Sequence, residues 1–323
     1  MNAPDIADIE AAVVRIGAHV RRTPMLSAPA LDALAGRRVL VKAECLQHTG
    51  SFKARGGWAA VSALPAGTPG VLAMSSGNHA QGVARAAAAY GLAAVILMPA
   101  DAPDVKIAAS RALGAEVVAY DRATADRDAL ARELAAERGL VLIPPFDHPE
   151  VIAGQGTVGL EIAEQAQEQG VEEADVLVCC GGGGLTAGIA LALEARAPGL
   201  RVRPVEPEGF DDTARSLAAG RILANARRAG GLCDAILTPQ PGRLTFPVMQ
   251  RLCGSGLVVS EAEVLRAMAL AAHHLKLVLE PGGAVALAAA LFHPQENAGA
   301  AVIAVATGGN ADPGVLARAL AAG

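Results

Sequence analysis

Short, uninterrupted apolar runs alternate with Ala-rich stretches of helical periodicity along almost all of this 323-residue chain. That alternation is the signature of an α/β fold, with mostly parallel, twisted sheets flanked by helices. The spacing predicts strands over Val39–Lys42, Gly70–Ala73, Ala93–Met98, Glu116–Tyr120, Val176–Cys180, Arg201–Val205 and Ala301–Ala306. It predicts helices over Phe52–Ala63, His79–Tyr90, Pro103–Leu113, Thr124–Arg138, Val151–Gln169, Leu185–Ala197, Ser260–Leu275, Gly283–Phe292 and Pro313–Ala322. Continuous rather than alternating apolarity implies that helices cover both faces of the sheets. The length allows two lobes, and Pro144-Pro145-Phe146-Asp147-His148-Pro149 is the boundary candidate. The division expected is 1–69 with 147–323 as a large lobe and 70–146 as a smaller, mobile one. Aromatics supply only 2% of the residues, so Ala, Val, Leu and Ile must fill the core.

Several function classes drop out. A net charge of −5 with no basic stripe argues against nucleic acid as a partner. The longest apolar stretch, Ala84–Pro99, is broken by Arg85, Gly91 and Pro99 and falls short of a membrane span. The first residues lack a charged-then-apolar leader pattern, and the five cysteines form no C-x-x-C pair. A cytoplasmic protein without disulfides or thiolate zinc is expected.

The chemistry collects at turns that end strands and begin helices, the edge where open parallel sheets bind ligands. Lysine is scarce, and Lys53 stands at a helix start, where unpaired N–H groups and the helix dipole favour the neutral amine. An amine so placed can attack an aldehyde, although an ordinary solvated lysine has the same spacing. Cys180-Gly181-Gly182-Gly183-Gly184-Leu185 joins an apolar strand to a helix. Backbone N–H groups released by glycine, backed by the helix dipole, make a phosphate cradle; a plain tight turn is the alternative. Gly182-x-Gly184-x-x-x-Gly188 followed by Glu206 also leaves a nicotinamide dehydrogenase open. Ser75-Ser76-Gly77-Asn78-His79 combines hydroxyls, an amide and a free helix start, which suits a carboxylate as well as it suits a simple cap. Thr307-Gly308-Gly309-Asn310 follows an apolar strand, as a turn or as a ligand contact.

The ordered set S-F-K-x-R-G, S-S-G-N-H, A-G-Q-G-T, G-G-G-G-L, E-P-G-G-A and T-G-G-N resembles fold type II pyridoxal-phosphate enzymes, which are tryptophan synthase β-like in architecture. More narrowly it resembles the serine/threonine dehydratase and serine racemase family, over nearly the whole chain. By that resemblance Lys53 carries pyridoxal 5'-phosphate and Phe52 lies beside its ring. Gly181, Gly182, Gly183, Gly184 and Leu185 hold the phosphate, Asn78 meets the ring oxygen, and Thr307 faces the pyridine nitrogen. A neutral hydroxyl there leaves the ring nitrogen largely unprotonated, which favours prompt loss of a β-hydroxyl over transamination.

The reaction expected is elimination of ammonia from L-threonine or L-serine. Ser75, Ser76, Asn78 and His79 receive the substrate, and freed Lys53 removes the α-proton. Ser76 matches the position where serine racemases carry a hydroxyl opposite the lysine, so it is a second catalytic candidate and keeps racemisation open. Phe146 suits a threonine methyl better than a second carboxylate, which places hydroxyaspartate behind threonine. Glu206, the Phe210 carbonyl and Asp212 resemble a divalent-cation site for Mg²⁺ or Ca²⁺; a solvated acidic loop is the alternative. Ala229-Gly230-Gly231 departs from the family's Ala-Asp-Gly, which puts a cofactor contact by Gly231 in doubt. The resemblance also implies a homodimer. The chain ends soon after the last motif, so an appended regulatory domain is not expected and a degradative role is. The remaining alternative is a non-catalytic subunit that merely carries the cofactor.

Overall fold

A computed structural model describes residues 2–75, 77–100, 102, 104–121, 125–227 and 229–322. Its strands are β1 (Met25–Leu26), β2 (Arg38–Lys42), β3 (Gly70–Met74), β4 (Ala93–Pro99), β5 (Glu116–Tyr120), β6 (Val141–Leu142), β7 (Ala174–Cys179), β8 (Leu200–Pro207), β9 (Leu257–Val259) and β10 (Ala301–Val305). Six form one sheet in the order β1-β2-β10-β7-β8-β9, and four form another in the order β5-β4-β3-β6. Every pairing is parallel except β1 with β2. The expected α/β architecture with mostly parallel sheets is what the chain adopts.

Alternate residues of the central strands serve opposite layers. Val176, Val178, Ile303 and Val305 pack against Ile162, Leu185, Ile189 and Leu193 on one face of the larger sheet. Leu177, Val302 and Ala304 pack against Ala284–Leu291 and Met268 on the other. The smaller sheet has its own layer, in which Leu72, Val95 and Leu97 meet Ala131 and Leu134. Strand β5 departs from the two-sided burial expected, because it is the edge of its sheet and is only half covered.

Two further differences have local causes. The helix expected over Ser260–Leu275 is α-helical over Glu261–Leu270 and then widens into a π-helical turn, Ala271–Leu275, ended by Lys276 in the left-handed region at φ 59°. The helix expected from Thr124 begins at Arg127, where the Asp126 carboxylate caps the N–H groups of Asp128 and Ala129; Thr124 itself lies outside the described residues, as does Pro103. Helices Ile6–Ile16, Pro29–Ala35, Asp212–Ala219 and Thr245–Leu252 were not anticipated.

One contact sets the site's geometry. A Cβ on Gly57 would fall 2.7 Å from the Gly82 carbonyl carbon, and one on Gly82 would fall 2.6 Å from the Lys53 carbonyl oxygen. Helices Lys53–Ser62 and Asn78–Ala89 therefore touch backbone to backbone, which brings the Asn78 turn beside Lys53. Among the described residues, no helix is long and apolar enough to cross a membrane.

Candidate active site

The polar turns converge at the carboxyl ends of the parallel strands. Lys53 opens its helix after Phe52. The turn before it is tied to the end of β10: the Phe52 N–H donates to the Thr307 carbonyl (3.2 Å), and Ser51 bridges to Gly308. The Lys53 amine donates to the Pro145 carbonyl at 2.6 Å and lies 5.1 Å from the centre of the Phe52 ring. Burial lowers its pKa from the ordinary lysine value to about 8. The direction agrees with the sequence argument, and desolvation is the cause that the structure supplies.

The four-glycine turn has the shape that a phosphate cradle needs. Gly183 sits in the left-handed region (φ 87°) and caps helix Gly184–Arg196, so the N–H groups that open this helix follow the turn. The Gly182 carbonyl accepts from Thr245 Oγ1 (2.7 Å) and the Gly242 N–H (3.1 Å), which locks the turn. A Cβ on Gly182 would fall 2.3 Å from the Phe146 ring, and one on Gly184 3.0 Å from the Phe146 Cα. Phe146 thus lies directly on the turn, and Leu185, the next residue, points into the core. The buried hydroxyls of Ser51 and Thr238 have no hydrogen-bond partner among the described residues, and the Thr238 methyl lies beside Gly181. An amine close to neutrality, a helix-capped glycine turn and unsatisfied hydroxyls fit an aldehyde cofactor with a phosphate handle.

On the facing turn, Ser75 Oγ accepts the Gly77 N–H (3.1 Å). Asn78 donates from Nδ2 to Glu280 Oε1 (2.5 Å) and accepts at Oδ1 from Asn310 Nδ2 (2.7 Å). His79 is buried, and its Nε2 donates to the Ile143 carbonyl (2.8 Å), a tautomer assigned because a carbonyl can only accept. Burial, reinforced by the nearby Lys53 charge, lowers His79 to about 3, so the ring is neutral. Its Nδ1 is buried without a partner among the described residues. Ser76 lies outside the described residues. Thr307, 3% exposed, lies two residues beyond β10 with its N–H on the Gly283 carbonyl (3.3 Å).

The acidic loop is a separate feature. Glu206, next to last in β8, accepts from the Thr213 and Ala214 N–H groups (2.9 and 2.8 Å), capping helix Asp212–Ala219. Asp212 accepts from Asn225, and its Oδ2 is buried without a partner among the described residues. Burial, with Asp212 adding to it, pushes Glu206 up to about 8; burial likewise pushes Asp212 up to about 7. Phe210 is buried between them in sequence. Gly231 packs against the Phe210 and Leu237 side chains.

Three residues of the site escaped the sequence reading. Glu280 and Asn310 flank Asn78 although each lies more than two hundred positions from it. Asp147 accepts the Arg243 and Leu244 N–H groups (3.0 and 2.8 Å) and so pins the segment that locks the glycine turn. All three stand inside or beside quoted motifs; nothing in linear spacing shows whom they would meet.

Fold and site together define an α/β enzyme that works through a lysine-bound aldehyde cofactor. The chain belongs to the pyridoxal-phosphate dependent enzymes: the model of that family matches residues 16–308. It is 41% identical over 307 residues to an L-threo-3-hydroxyaspartate ammonia-lyase of Pseudomonas sp, covering 94% of this chain and 95% of that one. Among solved structures it is similar to a threonine deaminase of T.th., with TM-score 0.90 and 47% identity over 96% of this chain and 99% of that chain. It is similar also to maize serine racemase, with TM-score 0.90 and 36% identity over 99% of this chain and 97% of that one. The protein is a pyridoxal-phosphate-dependent lyase from the group that contains ammonia-lyases and racemases. The dehydrogenase reading of Gly182, Gly184, Gly188 and Glu206 is set aside.

Proposed function

We propose that the protein is a threonine/serine ammonia-lyase that releases a 2-keto acid and ammonia. The observation that carries this choice is Phe146, whose apolar ring lies on the glycine turn next to the Pro145 carbonyl that holds the Lys53 amine. A methyl or hydrogen at the substrate's β-carbon suits that wall; a second carboxylate would be desolvated against it without a partner.

When bound, pyridoxal phosphate supplies an electron sink. Lys53 holds it, with Phe52 beside the ring. Gly181, Gly182, Gly183, Gly184 and Leu185 take its phosphate, Asn78 the ring oxygen and Thr307 the ring nitrogen. Ser75, Asn78 and the N–H groups that open helix Asn78–Ala89 receive the substrate carboxylate, with Ser76 and His79 beside the substrate. Lys53 Nζ, whose pKa burial lowers to about 8, removes the α-proton as a general base in its neutral form. Its departure and that of the β-hydroxyl account for the loss of water, which hydrolysis to the keto acid and ammonia returns.

Glu206, the Phe210 carbonyl and Asp212 are assigned to Mg²⁺ or Ca²⁺. Two adjacent buried carboxylates, one with a free oxygen, suit a cation. Among the described residues no three His, Cys, Asp or Glu side chains converge, so the carbonyl and water would complete the shell. The assignment extends to a small lobe over 70–146 that closes on the remainder, to a homodimer and to a cytoplasmic location. A hydroxyaspartate lyase is the second reading, favoured by the Pseudomonas relative; racemisation through Ser76 is favoured by the maize structure.

Keto-acid and ammonia release from a panel of L-threonine, L-serine and L-threo-3-hydroxyaspartate, with chiral analysis of residual serine, separates the readings. The expected result is a kcat/KM at least about tenfold higher on threonine or serine. A preference for hydroxyaspartate of that size overturns the choice.

A further inference from the structure

Glu280 of E-P-G-G-A and Asn310 of T-G-G-N have no role in the reaction described so far, yet the fold zips the two motifs together. The Glu280 N–H donates to the Gly308 carbonyl (3.0 Å) and the Thr307 N–H to the Gly283 carbonyl (3.3 Å). A Cβ on Gly283 would fall 2.3 Å from the Gly308 carbonyl oxygen, and one on Gly308 only 1.9 Å from Glu280 Oε1. Gly283 lets the two turns touch backbone to backbone, and Gly308 leaves the space that the Glu280 carboxylate fills beside Asn78. There the hydrogen bonds form a chain with fixed polarity. Asn310 Nδ2 donates to the Thr49 carbonyl (2.8 Å), which can only accept, and donates its second hydrogen to Asn78 Oδ1 (2.7 Å). Asn78 must then turn Nδ2 toward Glu280 Oε1 (2.5 Å). One amide hydrogen of Asn78 is thereby spent on Glu280, and the other is left to donate elsewhere.

We propose that Glu280 is a positioning residue that, with Asn310, fixes the amide of Asn78 so that its second hydrogen is presented to the cofactor's ring oxygen. This rests on the reading that Lys53 carries the cofactor and Asn78 meets that oxygen. The carboxylate's partner is the Asn78 amide and not a cation. Burial accordingly pushes Glu280 up to about 7, the Asn78 hydrogen bond and Lys106 draw it back, and Asp234 adds to the rise. Glu280, 7% exposed, meets an amide hydrogen of Asn78, so its Oε1 can only accept there.

The test is the rate at which the full-length holoenzyme loses pyridoxal phosphate to an excess of scavenger, followed by the cofactor's absorbance, with thermal midpoints recorded in parallel. Glu280→Met keeps the volume and removes the acceptor, and is expected to speed cofactor loss about tenfold, the worth of one charge-assisted hydrogen bond. In an Asn78→Ala background the same change should alter the rate by less than about twofold, because a residue acting through Asn78 has nothing left to position. Glu280→Gln, whose amide oxygen still accepts, should stay within about twofold of the parent. An equal effect of Glu280→Met in both backgrounds overturns the proposal, as does no effect in either, or a Gln variant as leaky as the Met variant. If Glu280→Met does not fold, Glu280→Asp shortens the reach by one methylene and carries the same expectations. Lys53→Ala separates this proposal from the reading beneath it: lysine-bound cofactor absorbance surviving in that variant refutes the underlying reading, whatever Glu280 does.

Discussion

At the scale of the residue, the central object is a lysine made ready by its surroundings. Lys53 is brought down to about 8 by burial alone, with a backbone carbonyl at 2.6 Å and no charged partner among the causes. An amine attacks an aldehyde only when neutral, and the neutral fraction grows as pH rises through the pKa. Cofactor-stripped protein mixed with pyridoxal phosphate should therefore form its Schiff base faster as pH rises, levelling off above about 8. Stopped-flow absorbance checks this, and a rate still climbing toward the ordinary lysine value of 10.5 would refute it. The sequence revealed Lys53 because lysine is rare and the residue opens a helix after a serine. It could not reveal Glu280 or Asn310 as partners of Asn78, since those contacts span 202 and 232 positions and depend on how β3 and β10 are brought together.

At the scale of the element, the site is built from close approaches that leave no room for side chains. Gly182→Ala would drive a methyl into the Phe146 ring, at 2.3 Å from its Cδ2. Overpacking of this kind costs about 1–3 kcal/mol, so the variant should bind pyridoxal phosphate roughly tenfold more weakly or worse, as measured by cofactor titration. The helix that carries Lys53 is anchored two residues further on. Arg55 meets Glu44 through Nε (2.9 Å) and Nη2 (2.8 Å), and Glu161 through Nη1 (2.7 Å) and Nη2 (2.9 Å), while Lys42 also binds Glu161. Arg55, Glu44 and Lys42 are 1%, 0% and 0% exposed, so two cations and the Glu44 carboxylate are held out of water, with the half-buried Glu161 completing the neutralisation. Removing one partner strands a buried charge; Arg55→Ala should cost about 3–5 kcal/mol in denaturant unfolding. A loss below about 1 kcal/mol would contradict this account of the cluster. The longer strands of both sheets were legible because they are largely apolar runs, whereas β1, β6 and β9, of two or three residues each, were not. Helices Asp212–Ala219 and Thr245–Leu252 were not, being eight residues each, too short for periodicity to stand out from a loop.

At the scale of the whole molecule, two parallel sheets bring turns from distant parts of the chain to a common edge, and the acidic pair at Glu206 and Asp212 lies at the end of β8 in the larger sheet. If that pair holds Mg²⁺ or Ca²⁺, either ion should raise the melting temperature, since a ligand bound only to the native state stabilises it. Chelation should reverse the rise, and Asp212→Asn should abolish it; a melting temperature indifferent to both ions removes the metal from the account. The order of the motifs made this architecture legible from sequence. What order cannot supply is the packing of Phe146 on the glycine turn, on which the choice of threonine or serine depends. The proposed function rests on one covalent link, between Lys53 and the cofactor. Borohydride reduction of the yellow holoenzyme followed by peptide mapping should place the pyridoxyl group on Lys53 alone, and a label on Lys42, Lys106 or Lys276, or on no lysine, would contradict it.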